Sequence, residues 1–327
     1  MRLAIVGAGA IGGWLAGQLI IGGEEVTLVA RGATLAAIRE RGLSITSSET
    51  TFVVHPRMAE EVSAVAAADV VFLAVKAHAL TALAPVLGPA LGADACVVSL
   101  QNGVPWWYFD GVPGPLANAR LESVDPGGII AHHLPPERVV GAVVYPATRV
   151  VAPGVVEHIE GRRISIGEPD GSTTERCGQI AAALTQAGVR CPVRADLRGE
   201  LWLKLVGNAV LNPLSALTRA SLAELASDPL VRPLALGAME EAAAVAASLG
   251  VTLRLSMEQR LAAAAKVGDH KTSMLQDLEA GRRLELEPIL GAVVEIGKVT
   301  CVATPTLDIL LACTRLLAQS ISGSRPV

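Results

Sequence analysis

At 327 residues, with 51% hydrophobic but only 3% aromatic side chains, the chain is long enough for two domains with cores of Ala, Val, Leu and Ile. A net charge of −4, with Lys and Arg scattered along the chain, excludes a basic footprint for nucleic acid and argues against a membrane-surface helix. Five cysteines form no CxxC pair and His132-His133 lacks a third ligand, so no metal is expected and the thiols suit a reducing, cytoplasmic compartment.

Leu3 to Val6 reads as a short buried strand running into Gly7-Ala8-Gly9-Ala10-Ile11-Gly12 and then a helix. Residues 3–23 are uncharged and follow Arg2, as in a signal peptide or a membrane span. Five glycines between Gly7 and Gly17 make a poor helix for that role, and no later uncharged run is long enough, so a soluble protein is expected. A dinucleotide-binding turn explains the glycines better. Gly7 permits the tight turn, Gly9 lets the backbone approach a pyrophosphate, Gly12 allows close helix–strand packing, and the helix N-terminus attracts the phosphate charge. A glycine-rich turn without a ligand is the alternative, but this one follows a strand and opens a helix, as the first βαβ unit requires. The second strand, "EEVTLVAR", ends at Arg31. An NAD site would place Asp or Glu near here; an acid repels a 2′-phosphate, whereas Arg31 offers it a bidentate fork. NADPH is the expected cofactor, with a solvated loop cation as the plainer reading of Arg31.

"ADVVFLAVKAHAL" and "ACVVSLQNGV" are near-continuous apolar runs of the parallel-sheet type, and Lys76 and Asn102 appear as they end. Ligands of open α/β sheets bind beyond the carboxyl ends of the strands, which puts both residues on the cofactor side. Asn102-Gly103 also reads as plain turn chemistry. "RVVGAVVYPATRVV" and "RRISIGE" are expected to complete the sheet with "EHIEGRRI" as a turn between them, and helical "TTERCGQIAAALTQAG" leads out of the domain. From about Asp196 the pattern is helical throughout. The expected architecture is an α/β Rossmann-type dinucleotide-binding domain over residues 1–195, an all-α domain over residues 196–327, and a cleft at their junction.

Residues 201–217, "LWLKLVGNAVLNPLSAL", carry Lys204, Asn208 and Asn212 at a repeat of four in an otherwise apolar helix. Each step of four drifts about 40°, so the three share one stripe. An unsatisfied buried polar group costs about 1–3 kcal/mol, so the stripe must meet partners, water or a ligand. A wet interdomain face is the plainer reading. Further on, "HKTSMLQDLEAGRRLELEPILGAVV" offers Ser273, Asp277 and Glu285, with Gly281 breaking or bending the helix between them. Thr272 and Ser273 also suit a helix cap, and either acid a solvated surface.

Taken together, "GAGAIG", Arg31, "VKA", "QNG", "ELWLKLVGNAVLNPLSAL" and "TSMLQDLEAGRRLE" resemble the ketopantoate reductase family of NADPH-dependent 2-dehydropantoate 2-reductases, in the family's order from residue 7 to residue 285. The resemblance implies reduction of 2-dehydropantoate to (R)-pantoate, with Lys204 as general acid to the 2-oxo oxygen and Glu285 assisting it and contacting substrate. It implies substrate-hydroxyl contacts from Asn208 and Asn212 and a carboxylate contact from Ser273. Cofactor contacts are implied for Arg31, Lys76, Asn102 and, through its backbone, Ala147 in "YPATR". The partner is then a small 2-oxo acid, and an exposed apolar helical face in the second domain would suit a homodimer. Two features depart from the family. The stretch between Gly103 and Gly141 is longer than in compact members and concentrates Trp106, Trp107, Tyr108 and Phe109, which either pack on their own domain or a second subunit, or reshape the pocket. "TRASLAEL" lacks an asparagine that the family often supplies. Two rivals stay open: a reductase of another branched 2-oxo acid, and a regulatory protein that binds NADPH without catalysis, which would need neither Lys204 nor Glu285.

Overall fold

Four-residue runs made wholly of Val, Leu, Ile and Phe have no polar face to offer water, so they are stable as strands only where both faces are covered. The computed structural model describes residues 1–112, 114, 116–266 and 268–321; Pro113 and Pro115 of the 104–140 stretch, and Val267 and residues 322–327 of the helical half, lie outside the described residues. The chain divides into two compact units, Met1–Arg120 with Asp125–Leu197, and Leu121–Val124 with Arg198–Val327.

The first unit contains, in chain order, β1 (Leu3–Val6), α1 (Ala10–Ile21), β2 (Val26–Val29), α2 (Gly32–Arg41), β3 (Leu43–Thr46), β4 (Thr51–Val54), β5 (Arg57–Ala59), β6 (Val70–Leu73), α3 (Leu80–Leu87), β7 (Cys96–Ser99), α4 (Ile129–His133), β8 (Val139–Val144), β9 (Ala147–Ala152), β10 (Val155–Glu160), β11 (Ile164–Gly167) and α5 (Glu175–Gln186). Seven strands form one sheet in the order β11-β8-β7-β6-β1-β2-β5. All its pairings are parallel except β11 with β8. Every residue of β1, β6, β7 and β8 is buried, as strands covered on both faces are. The chain leaves β1 toward β2 and returns to β6 on its other side, so strand order reverses at β1, where open sheets of this kind bind ligands.

The structure corrects the expected strand layout. "RVVGAVVYPATRVV" is two strands: β8 lies in the seven-stranded sheet, and β9 in a separate sheet of order β4-β3-β10-β9. The break falls at Pro146, which has no N–H to give a ladder. "EHIEGRRI" is a turn only from Gly161 (φ 77° at Gly154, 74° at Gly161); its first four residues belong to β10. Glu157, His158 and Glu160 hid that strand because the second sheet leaves them half-buried or exposed.

The aromatic cluster belongs to the first unit's own core. Trp106 Nε1 donates to the Leu134 carbonyl at 2.9 Å and Trp107 Nε1 to Ser99 Oγ at 2.8 Å, while Tyr108 meets Phe109 edge-to-face at 4.9 Å. All four rings are buried. Only Leu121–Val124 of the long stretch joins the second unit, where the Glu122 and Ser123 amides donate to the two carboxylate oxygens of Glu295 at 2.8 and 2.9 Å.

The second unit is built from α6 (Leu197–Thr218), α7 (Leu222–Ser227), α8 (Val231–Ser248), α9 (Met257–Ala265), α10 (Ser273–Glu279), α11 (Ala292–Val299) and α12 (Pro305–Ile321), with no strand among the described residues. No helix among the described residues is long and apolar enough to cross a membrane. The fold is thus an α/β unit of the Rossmann type together with an all-helical unit.

Gly141 in β8 makes room for the indole of Trp107, since a Cβ there would lie 2.5 Å from the ring and 2.6 Å from Leu197 Cδ2. Gly141→Ala is therefore expected to destabilise the protein by about 1–3 kcal/mol through overpacking, read from urea unfolding.

Candidate active site

Register places one set of candidates along one edge of the main sheet. Val6 pairs with Val29 and with Leu73, and Leu73 with Ser99, so β1, β2, β6 and β7 end level with one another. The glycine turn, Arg31, Lys76 and Asn102 follow those four ends. Gly7 adopts φ +106°, and a Cβ there would stand 3.0 Å from the Ala74 carbonyl group. A Cβ on Gly12 would collide with the Gly7 carbonyl oxygen and lie 2.7 Å from Ala74 Cβ. Gly9 differs: a Cβ there meets nothing within 4 Å, so no internal packing requires its glycine. What Gly9 does is leave the start of α1 uncovered, where it is the N-cap with no side-chain cap and no acid in the first turn. That bare, positively polarised helix end fits the pyrophosphate of a dinucleotide.

Arg31 is the exposed N-cap of α2 and forms no ion pair among the described residues. Lys76 is half-buried at the head of a single 3₁₀ turn. Asn102 is half-buried just beyond β7. Its neighbour Gln101, which the sequence reading passed over, donates from Nε2 to the carbonyls of Leu73 at 2.7 Å and Val75 at 3.1 Å, tying the two strand ends together. Its signal is a polar side chain just beyond the end of a wholly buried strand. Ala147 opens β9, pairing with Glu160 in the second sheet.

The helical unit holds the other set. Along α6, Lys204 and Asn208 are half-buried and Asn212 is only 5% exposed, among buried Leu205, Val206, Ala209, Val210 and Leu211. The Asn212 Nδ2 is a buried donor without a hydrogen-bond partner. Burial pushes the Lys204 ammonium down to about 8; the Glu285 carboxylate opposes that fall and the Arg260 guanidinium adds to it. Glu285 is 5% exposed and immediately precedes the helical stretch that opens with the π-helical turn Glu287–Gly291. π-turns are frequent at functional sites.

Gly281, at φ +63°, does end the α10 segment. Arg282 turns back there, its amide donating to the Asp277 carbonyl and its Nε to the Asp277 carboxylate, both at 2.8 Å, which makes Asp277 a buried structural acid. Thr272, rather than Ser273, caps α10 by accepting from the Leu275 amide at 3.2 Å. Ser273 is the first residue of that helix and is exposed. Arg260 on α9 escaped the sequence reading; its Nε donates to the Leu203 carbonyl at 3.1 Å. Its signal was Gly207, a glycine in the interior of a long helix. No group of His, Cys, Asp and Glu among the described residues could hold a metal ion.

Two family models, for ketopantoate reductase PanE/ApbA and for its C-terminal region, match residues 3–107 and 196–318. A 2-dehydropantoate 2-reductase of Mesorhizobium japonicum is 47% identical over 97% of this chain and 98% of its own length. A solved structure from Ralstonia solanacearum MolK2 has a TM-score of 0.93 at 41% identity, covering 98% of each chain. A PanE/ApbA family ketopantoate reductase from Ralstonia eutropha JMP134 has a TM-score of 0.85 at 31% identity, covering 98% of this chain and all of its own (100%).

The electrostatics around α6 can be checked without any ligand. Glu285→Gln removes the charge that favours the ammonium, so Lys204 should titrate below about 8 in the variant, followed by NMR of ¹³C-labelled lysine. A titration unchanged or moved upward would remove Glu285 from the Lys204 environment.

Proposed function

The chain belongs to the ketopantoate reductase family, and on that premise we propose that it reduces 2-dehydropantoate to pantoate with NADPH, the α/β unit holding the dinucleotide and the helical unit the 2-oxo acid. The observation that carries this reading is Lys204, desolvated among the buried apolar residues of α6 and under the influence of the buried Glu285 carboxylate.

When bound, the reduced dinucleotide supplies the hydride. The chain's own residues do the rest. Addition at C2 turns a carbonyl into an alkoxide, and Lys204 is the group suited to stabilise that charge and quench it, transferring one Nζ proton to the oxygen and becoming a neutral amine. Solvent then restores the proton. An ordinary lysine holds its proton too firmly to give it up readily at neutral pH, and an arginine would hardly give it up at all. With its pKa near 8, Lys204 is mostly charged at pH 7 yet readier to release. Glu285 keeps the fall from going further, so that the ammonium form still dominates before reaction.

Asn212 brings a buried Nδ2 donor that a substrate oxygen would satisfy, and Asn208 stands one turn before it on the same stripe. Ser273 is assigned to the substrate carboxylate. On the dinucleotide side, Gly7, Gly9 and Gly12 form the pyrophosphate turn and exposed Arg31 is assigned to the 2′-phosphate. Lys76, Asn102 and the Ala147 backbone complete the cofactor contacts. What supports Arg31 is its place after β2, next to β1, in a position where an acid would select NAD.

The test is loss of NADPH absorbance on adding 2-dehydropantoate to the purified protein, beside a panel of other branched 2-oxo acids. Lys204→Ala should lower kcat by about 10²–10⁴-fold while the Kd for NADPH stays unchanged; near-normal turnover would defeat the assignment. Because Lys204 acts in its protonated form, kcat/KM should be sustained below pH 8 and fall as pH rises through about 8. A profile flat to pH 10 would contradict it.

A further inference from the structure

We propose that a cavity on the amino-terminal edge of the main sheet binds a linear aliphatic diamine, with Glu24 and Asp94 each holding one of its ammonium ends. The cavity lies wholly within the α/β unit, and the inference stands whether or not the reductase reading does.

The main sheet has two edges where loops gather, and the glycine turn occupies only the carboxyl-terminal one. At the other, Leu3 pairs with Val26 and with Val70, and Val70 with Cys96, so β1, β2, β6 and β7 also start level with one another. These starts and one face of α5 line a cavity of about 630 Å³. Ligand pockets commonly run from about 300 to 1,000 Å³, so the space suits a small molecule. On the α5 side, Arg176, Gln179, Ala183 and Gln186 follow one another at intervals of three and four, which makes them a single stripe. Buried Val70, Cys96 and Ala183 give the cavity an apolar floor. Glu24 and Asp94 each stand two residues before the level starts of β2 and β7. With β1 and β6 between them, they are three strand spacings apart, about 14 Å.

The ligand follows from which lining charges already have partners. Asp69 accepts from the Arg2 amide at 2.8 Å, from its Nε at 3.2 Å and from its Nη2 at 2.5 Å. Arg176 sets Nε and Nη2 on the buried Glu168 carboxylate and Nη1 on the Glu137 carbonyl. Each of those two charges is therefore cancelled by its partner. Glu24 and Asp94 differ: neither carboxylate has an ion pair or hydrogen bond among the described residues. Gln179 and Gln186 donate from Nε2 to Glu175 Oε1 at 2.9 Å and to the Gly22 carbonyl at 3.1 Å, which leaves their amide oxygens to accept. The rim thus offers two negative charges far apart and two neutral acceptors, with apolar ground between them.

Few kinds of ligand match that pattern. An anion is repelled from both ends. A metal ion cannot touch both carboxylates, because its bonds to oxygen are only about 2.0–2.6 Å long. A monoamine leaves one carboxylate unmet. Two ammonium groups joined by methylenes satisfy both ends, and the chain covers the apolar floor. Each ammonium carries three donors, enough for a carboxylate and a glutamine oxygen together. Gln186 stands at the Glu24 end, since its Nε2 is held by Gly22.

Calorimetric titration of the purified full chain at low ionic strength tests the assignment, with 1,8-diaminooctane, octylamine and 1,3-diaminopropane as probes. The long diamine is expected to fill one saturable site per chain. Octylamine, which lacks the second charge, and 1,3-diaminopropane, which lacks the length, should each bind about two- to fivefold more weakly, as the loss of one exposed ion pair implies. Glu24→Gln and Asp94→Asn should each weaken the long diamine by a similar factor, and the double substitution should leave it no tighter than octylamine. Ala182→Leu intrudes on the cavity without changing any charge, and is expected to weaken both long amines. Absence of saturable binding by 1,8-diaminooctane overturns the proposal. So does a wild type that binds octylamine equally well, or a diamine affinity that survives both the double substitution and Ala182→Leu.

Discussion

An ammonium set among leucines and valines must find a carboxylate or give up its proton, and Lys204 is held between those outcomes. Leu201, Trp202, Leu205, Val206, Ala209, Val210 and Leu211 of α6 are buried around it, with Lys204 and Asn208 half-buried and Asn212 buried along one stripe of the same helix. Burial then does to the ammonium what solvent would not, loosening its proton, while Glu285 keeps it in place at neutral pH. The same packing that stabilises the helix thus sets how firmly the lysine holds its proton.

The α/β unit works by a different economy, that of bare backbone. Its glycine turn is dictated by contacts in two places: Gly7 turns where only glycine does so without strain, and Gly12 lets the helix close on the strand. At Gly9 the fold asks for nothing, and the open space above it is the feature that points to a ligand. Around that space the level ends of four parallel strands gather a cation from β2, another from β6 and an amide from β7. Gln101 fixes two of those ends by bonding across to Leu73 and Val75, so the edge is braced by a side chain that itself stands back from the turn.

Much of this is legible in the sequence alone. The strand Leu3–Val6, the glycine spacing, the apolar runs that became β6 and β7, and the helical second half each carry strong local signals, because parallel strands and long helices depend on unbroken apolar patterns. The second sheet was not legible. β10 is half-exposed and mixes Glu157, His158 and Glu160 with valines, a pattern that reads as a turn until β3 and β9 are known to flank it. Pro146 was visible but its effect was not, since a proline can end a strand or begin the next one in another sheet. At the site, the lysine stripe could be seen from its repeat of four. Arg260 could not, because it lies on a different helix, and only the Gly207 gap in α6 hinted that something large rested there. The aromatic run 106–109 raised two readings, and burial of all four rings, with both indole N–H groups bonded inside the first unit, places it in that unit's core.

The central claim is that position 204 supplies a proton rather than a shape, and chemical rescue addresses that distinction directly. Small primary ammonium ions of graded acidity would be added to the Lys204→Ala variant under saturating NADPH and 2-dehydropantoate. The account predicts that they restore turnover and that the logarithm of the restored rate, corrected for amine size, rises with ammonium acidity. Turnover that no ammonium ion restores, or that is restored equally by ammonium ions of any acidity, would contradict it.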